Sequence, residues 1–172
     1  GNSLIERYKG FSFGIESRSL GNRRLGGRLQ FDSWGVQWKP QTRLALEGRP
    51  DIPGTYRSRI GVAPSIAFAF NRNFFITAGA NFTELRMEGT NEHWEAAHEG
   101  VASLRYDSKK IKRGKTTFEN ITNYEVRTGA RSIGSDFSYT RHFVDHSSTI
   151  EYGRHYLDLT FAAGKITGNA PL

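Results

Sequence analysis

Five histidines, at positions 93, 98, 142, 146 and 155, are the residues of this 172-residue chain best suited to hold a metal. His142 and His146 are four apart. On a helix that spacing brings two imidazoles to one ion, whereas on a strand they share a face but stand about 13 Å apart. Their segment, Phe137 to Tyr152, reads as a strand, so no metal site is expected. His93 and His98 fall in or near a connector. The one G-x-S-x-G match, Gly10-Phe11-Ser12-Phe13-Gly14, runs into an alternating strand and not into a strand-to-helix turn, so it is no nucleophile elbow, and Gly61-Val62-Ala63-Pro64-Ser65 is not one either. Gly26-Gly27 has no phosphate-binding context. Glu119 and Glu125 read as charges paired with Arg127 or Arg105, not as an acid–base couple. The expectation is a protein that is not an enzyme and uses no cofactor.

Composition points to strands. Apolar residues are 37% of the chain and aromatics 13%, with 12 Phe, 7 Tyr and 19 Gly. Few apolar residues with many aromatics and glycines suit a sheet with one greasy face and no conventional core, as in a β-barrel in lipid. No apolar run is long enough for a transmembrane helix, which leaves barrel strands open because they are short and alternate. The chain has no Cys and a net charge of +7. That charge reads as a solvated basic surface, with anionic lipid as the sharper alternative. No nucleic-acid module is visible, and nucleic acid is not an expected partner.

The alternation predicts about eight strands and no helix of note. They run over Phe11–Arg18, Gly26–Trp38, Arg57–Phe70, Phe74–Glu88, Ala97–Ser108, Thr116–Thr128, Phe137–Tyr152 and Tyr156–Ala163. The pattern shifts near Ser33-Trp34, where a β-bulge is expected, and again before Leu85 and Met87. Trp34 and Trp38 read equally as interfacial aromatics and as ordinary packing. Lys39–Tyr56, with Pro40, Pro50 and Pro53, is the longest irregular stretch, and Thr42–Glu47 has room for a turn of helix. Gly89–Ala96 is a polar connector, Lys109–Lys115 a basic turn and Gly153-Arg154 a tight turn. Connectors this short give an antiparallel up-and-down meander, all-β, forming one domain over residues 1–172.

One face collects Phe11, Phe13, Ile15, Ile60, Val62, Ile66, Phe68, Phe70, Ile76, Phe82, Leu157, Leu159 and Phe161 as candidates for contact with lipid. The other collects Arg57, Arg59, Glu119, Glu125, Arg127 and Asp158 as candidates for a lumen. Several strands reach about 13 residues, more than globular sheets use and enough to cross a bilayer at a tilt.

The segment Gly164-Lys165-Ile166-Thr167-Gly168-Asn169-Ala170-Pro171-Leu172, after the strand Tyr156–Ala163, resembles the outer-membrane assembly barrels of the BamA/TamA superfamily, the bacterial surface antigens. Leu25-Gly26-Gly27-Arg28-Leu29-Gln30-Phe31 and Gly134-Ser135-Asp136-Phe137-Ser138-Tyr139 look like strands of that family. The resemblance implies a bacterial outer-membrane protein that inserts or translocates polypeptides without covalent chemistry. It implies outer-membrane lipid and nascent polypeptides as partners. The family's Arg-Gly-Phe loop is expected just past Leu172, and no periplasmic transport domain is expected before Phe11. Short and long connectors alternate, which places the even-numbered strands' ends on the outer side. The expectation is an internal section of a roughly 16-stranded barrel, excised or re-engineered, that closes on itself as eight strands or pairs with a second copy. The alternatives are a small eight-stranded structural barrel or pore, and a soluble lipocalin-like barrel whose apolar face lines a ligand cavity.

Overall fold

The computed structural model of the chain describes residues 5–17, 20–21, 24–38, 56–87, 93–108 and 110–171, with backbone alone for 5–8, 36–38, 56–57 and 87. These residues form one antiparallel sheet. The long strands are β1 (Ile5–Ser17), β2 (Leu25–Trp38), β3 (Tyr56–Ala69), β4 (Phe74–Met87), β6 (Glu99–Asp107), β8 (Thr116–Gly129), β9 (Ser138–Tyr152) and β10 (His155–Asn169). They lie side by side in chain order. Two short strands complete existing lines: β5 (Trp94–Ala96) pairs with β4, and β7 (Ile111–Arg113) with β8. The all-β meander read from alternation is therefore the observed fold. β1 and β10 are the two ends of the sheet.

Local chemistry explains the turns. In the β3–β4 connection Asn71 Oδ1 accepts the backbone N–H groups of Asn73 at 2.8 Å and Phe74 at 2.9 Å, an Asx turn that reverses the chain. Gly153 sits at φ +61° between β9 and β10, a left-handed conformation that glycine adopts without steric cost. Pro64 lies within β3, and the pairing of β3 with β4 skips from Val62↔Phe82 to Ser65↔Gly79. Proline has no N–H for that ladder. Gly79 restores close contact just beyond the gap.

Several expectations are corrected. No bulge exists at Ser33-Trp34: β2 pairs with β1 without a shift from Arg7↔Gln37 to Ser17↔Gly27, the shift lying between Ile5 and Arg7 instead. Trp34 therefore joins Asp32 on the polar face. It faces Gly10, where an added Cβ would stand 2.0 Å from the indole. The absent side chain is what admits the ring. β4 does not shift before Leu85 either. The irregularity is on β3, between Tyr56 and Ser58, so Leu85 falls on the polar face. The basic stretch Lys109–Lys115 is only partly a turn. Ile111–Arg113 is strand, and the pairing steps by one residue between Asp107↔Ile121 and Ile111↔Phe118. The extra residue sits around Ser108, whose Oγ accepts the Asn120 N–H at 2.8 Å. Finally, β10 runs on to Asn169, six residues past Ala163, because Gly164 to Asn169 continue the ladder with β9. Thr42–Glu47 and the three prolines of the long connector lie outside the described residues.

Gly79 gives a direct test of the β3–β4 contact. A Cβ there would lie 2.5 Å from the Pro64 carbonyl oxygen and 2.8 Å from Ser65 Cβ, so backbone has to move. Gly79→Ala is expected to destabilise the sheet by about 1–3 kcal/mol, read as a lower urea midpoint in detergent. An unchanged midpoint would rule out this close approach.

Candidate functional site: an exposed apolar face over a polar one

Strand register decides which residues share a face, because paired residues point the same way. Phe13 pairs with Phe31, Phe31 with Val62, and Val62 with Phe82. Ile76 pairs with Leu104, Leu104 with Tyr124, Tyr124 with Val144, and Val144 with Ala163. Following these ladders places all the strand residues read as lipid-facing on one surface: Phe11, Phe13, Ile15, Ile60, Val62, Ile66, Phe68, Ile76, Phe82, Leu157, Leu159 and Phe161. Phe70 stands beside them in the β3–β4 turn. That surface is open. Phe13 is 61% exposed, Phe161 59% and Ile66 55%.

The opposite face is polar and more sheltered. Arg127 Nε donates to Glu125 Oε1 at 2.7 Å and Arg127 Nη2 to Glu125 Oε2 at 3.2 Å, a bidentate pair. Arg127 Nη1 also reaches Glu99 Oε2 at 3.5 Å. Glu99 accepts Asn81 Nδ2 at 3.1 Å and the Tyr139 hydroxyl, and Asn81 Oδ1 accepts from Thr83 at 2.9 Å. The Glu99 side chain is 11% exposed and Thr83 only 3%. The difference holds from β3 to β9, whereas residues 9–16 of β1 and all of β10 are exposed on both faces. On this face Leu85, Ala97, Phe137 and Tyr139 form a small buried cluster, with Ala170 packed on it.

The residues read as lumen-facing are distributed along this face. Arg59, Glu119, Glu125, Arg127 and Asp158 belong to it by register. Arg57 lies at the β3 irregularity, its side chain outside the described residues. Glu125 meets Arg127 as expected. Glu119 stays apart on the Thr149 side, Arg105 turns to Asp107 at 3.7 Å, and Asp158 accepts from Thr149 Oγ1 at 2.7 Å. Glu99 and Tyr139 are the partners that sequence reading missed. They are 40 residues apart, and only the β6–β8–β9 register brings them together. This arrangement is structural: each carboxylate of the network is already occupied by cations and neutral donors. No group of three or more metal-ligating side chains occurs among the described residues.

The apolar face carries one polar patch that alternation did not reveal. Thr122 pairs with His146 and Asn120 with Ser148 across β8 and β9. Thr122 Oγ1 and His146 Nδ1 are 2.8 Å apart, His146 Nε2 and Ser148 Oγ are 2.8 Å apart, and Ser148 donates to Asn120 Oδ1 at 2.6 Å. An imidazole with its proton on Nε2 completes one directed chain. His142 is engaged separately, its Nδ1 lying 2.7 Å from the Tyr124 hydroxyl.

Compared with family models, curated proteins and solved structures, the chain matches none.

The Arg127 network makes a stability prediction. Arg127→Met leaves Glu99 and Glu125 without their cation and is expected to cost about 1–3 kcal/mol. Adding Glu125→Gln should recover part of that loss. The two variants and their combination form a cycle read by urea unfolding, and strict additivity would exclude the coupling.

Proposed function

We propose that the chain is a section of a transmembrane β-barrel whose apolar face meets lipid and whose polar face lines the lumen. The observation that carries this reading is the inverted burial in the middle strands: the apolar face is open there while the charges around Glu99, Glu125 and Arg127 are sheltered. A water-soluble monomer rarely exposes one apolar patch beyond about 600 Å², and here the face crosses eight long strands. A lipocalin-like barrel requires the reverse, with apolar side chains turned inward. Seven of the eight long strands have 13 to 15 residues; at roughly 3.3 Å per residue they are about 45 Å long, and a tilt near 45° brings that to about 30 Å, the thickness of a hydrocarbon core.

Within that class the resemblance of the C-terminal stretch favours an outer-membrane assembly barrel, acting on nascent polypeptides without covalent chemistry. Two features support it. β10 ends at Asn169, so Ala170-Pro171 does leave the strand, and Ala170 packs against the cluster on the polar side. β1 and β10 each have a neighbour on one side only among the described residues. Open edges are not tolerated in lipid, so the proposed section is completed by further strands or by a second copy.

The chain lacks cysteine, which allows single-cysteine scanning with an environment-sensitive dye. Labels at 11, 13 and 15 in β1 should be quenched by nitroxide lipids, and labels at 12, 14 and 16 by aqueous iodide. Loss of that alternation, or a monodisperse β-rich protein in plain buffer, would overturn the membrane reading.

A further inference from the structure

We propose that the rim of the sheet formed by its short connectors binds the phosphate groups of anionic lipids. This rests on the membrane reading and adds a lipid class and a location to it. The meander gathers the short connections at one end: the β1–β2 turn, residues 70–73, the β7–β8 turn at Gly114-Lys115 and the β9–β10 turn at Gly153-Arg154. Arg72, Lys110, Lys112, Arg113, Lys115 and Arg154 all lie in or beside them, and all are exposed. None of the described connector residues at this end is acidic. Lys110 does reach Glu151 of β9, at 3.0 Å. At the other end acids and bases mix, with Glu95 and Asp136 near Arg131. Among the described connector residues, the unbalanced positive charge thus lies at one rim.

What lies next to that rim selects the occupant. On the apolar face, several of the residues nearest the basic turns are aromatic. Phe70 is 65% exposed and Tyr152 56%, and Phe74 stacks obliquely on Tyr106 with centroids 4.9 Å apart. An aliphatic surface that ends in aromatics and then in cations follows the order of a bilayer: hydrocarbon, interface, headgroup. An acidic protein partner would match the cations but not the aromatic and apolar bands continuous with them. Lysine and arginine held at headgroup depth attract anionic lipid.

The test uses the full chain reconstituted in phosphatidylcholine bilayers, with spin-labelled phosphatidylglycerol and spin-labelled phosphatidylcholine compared by electron paramagnetic resonance. Phosphatidylglycerol is expected to be preferred about fivefold at low salt. The preference should collapse toward unity in high salt and in K110Q/K112Q/R113Q/K115Q, and persist in R131Q at the opposite end. Should the quadruple variant fail to incorporate, R72Q/R154Q and the salt dependence of the unmodified chain give the same reading. Equal association of the two lipids, or a preference that R131Q removes and the rim variants keep, would overturn the proposal alone. A chain that does not enter the bilayer at all would overturn the membrane reading with it.

Discussion

The unbroken antiparallel register is the constraint on which the rest depends. Side chains alternate with period two, so a slip of one residue would turn a strand's apolar set to the opposite face. From β1 to β10 the ladders keep the apolar residues in line, and the irregularities are few and local. Two of them are informative. The step around Ser108 brings Ile111 onto the face of Phe118, which keeps β7 in phase with β8 where β6 would have fallen out. The irregularity between Tyr56 and Ser58 lies beyond the Arg59↔Leu85 pair, so regular alternation along β4 turns Leu85 inward to the buried cluster.

That register makes the polar face costly, and the network centred on Arg127 is how the cost is met. Two carboxylates, Glu99 and Glu125, share one guanidinium, and Glu99 takes further donors from Asn81 and Tyr139. Sheltered charges destabilise unless paired and hydrogen-bonded, and here the partners come from β4, β6, β8 and β9. The network therefore ties four strands together through side chains as well as backbone. The patch of Asn120, Thr122, His146 and Ser148 solves the same problem on the other face. Polar groups turned toward an apolar medium are tolerable when they satisfy one another, and this chain of hydrogen bonds does so within one pair of strands.

Much of this was legible in the sequence. The strands, their order and nearly all of both faces follow from alternation and from connectors too short for parallel crossovers. What alternation could not supply were contacts between residues distant in sequence. Glu99 and Tyr139 were missed because nothing in either segment announces the other. The supposed bulge at Ser33-Trp34 came from treating a large aromatic as if it had to join the apolar face. Trp34 instead fills the space over Gly10 on the polar side, and the missing Cβ that makes the space belongs to a different strand. β10 looked shorter than it is because Gly164, Gly168 and Lys165 break the apolar pattern. Backbone hydrogen bonds to β9 extend it regardless of what the side chains favour.

The two edges follow from the same physics. Among the described residues each interior strand has a neighbour on both sides, whereas β1 and β10 have one on a single side, flanked by exposed Phe11, Phe13 and Ile15 at one end of the sheet and Leu157, Leu159 and Phe161 at the other. An exposed, long and apolar edge in water is a site for aggregation. In lipid it is worse, because no solvent satisfies the N–H and C=O groups. In the proposed membrane setting an isolated open sheet is therefore untenable. The long strands number eight and alternate in direction, so β1 and β10 run antiparallel to each other. A strand added beside either one can continue the alternation, and a ring closed through any even number of strands leaves no edge. The proposed barrel section uses that compatibility: one face apolar, the other polar, and at each margin a row that a further antiparallel strand can take up.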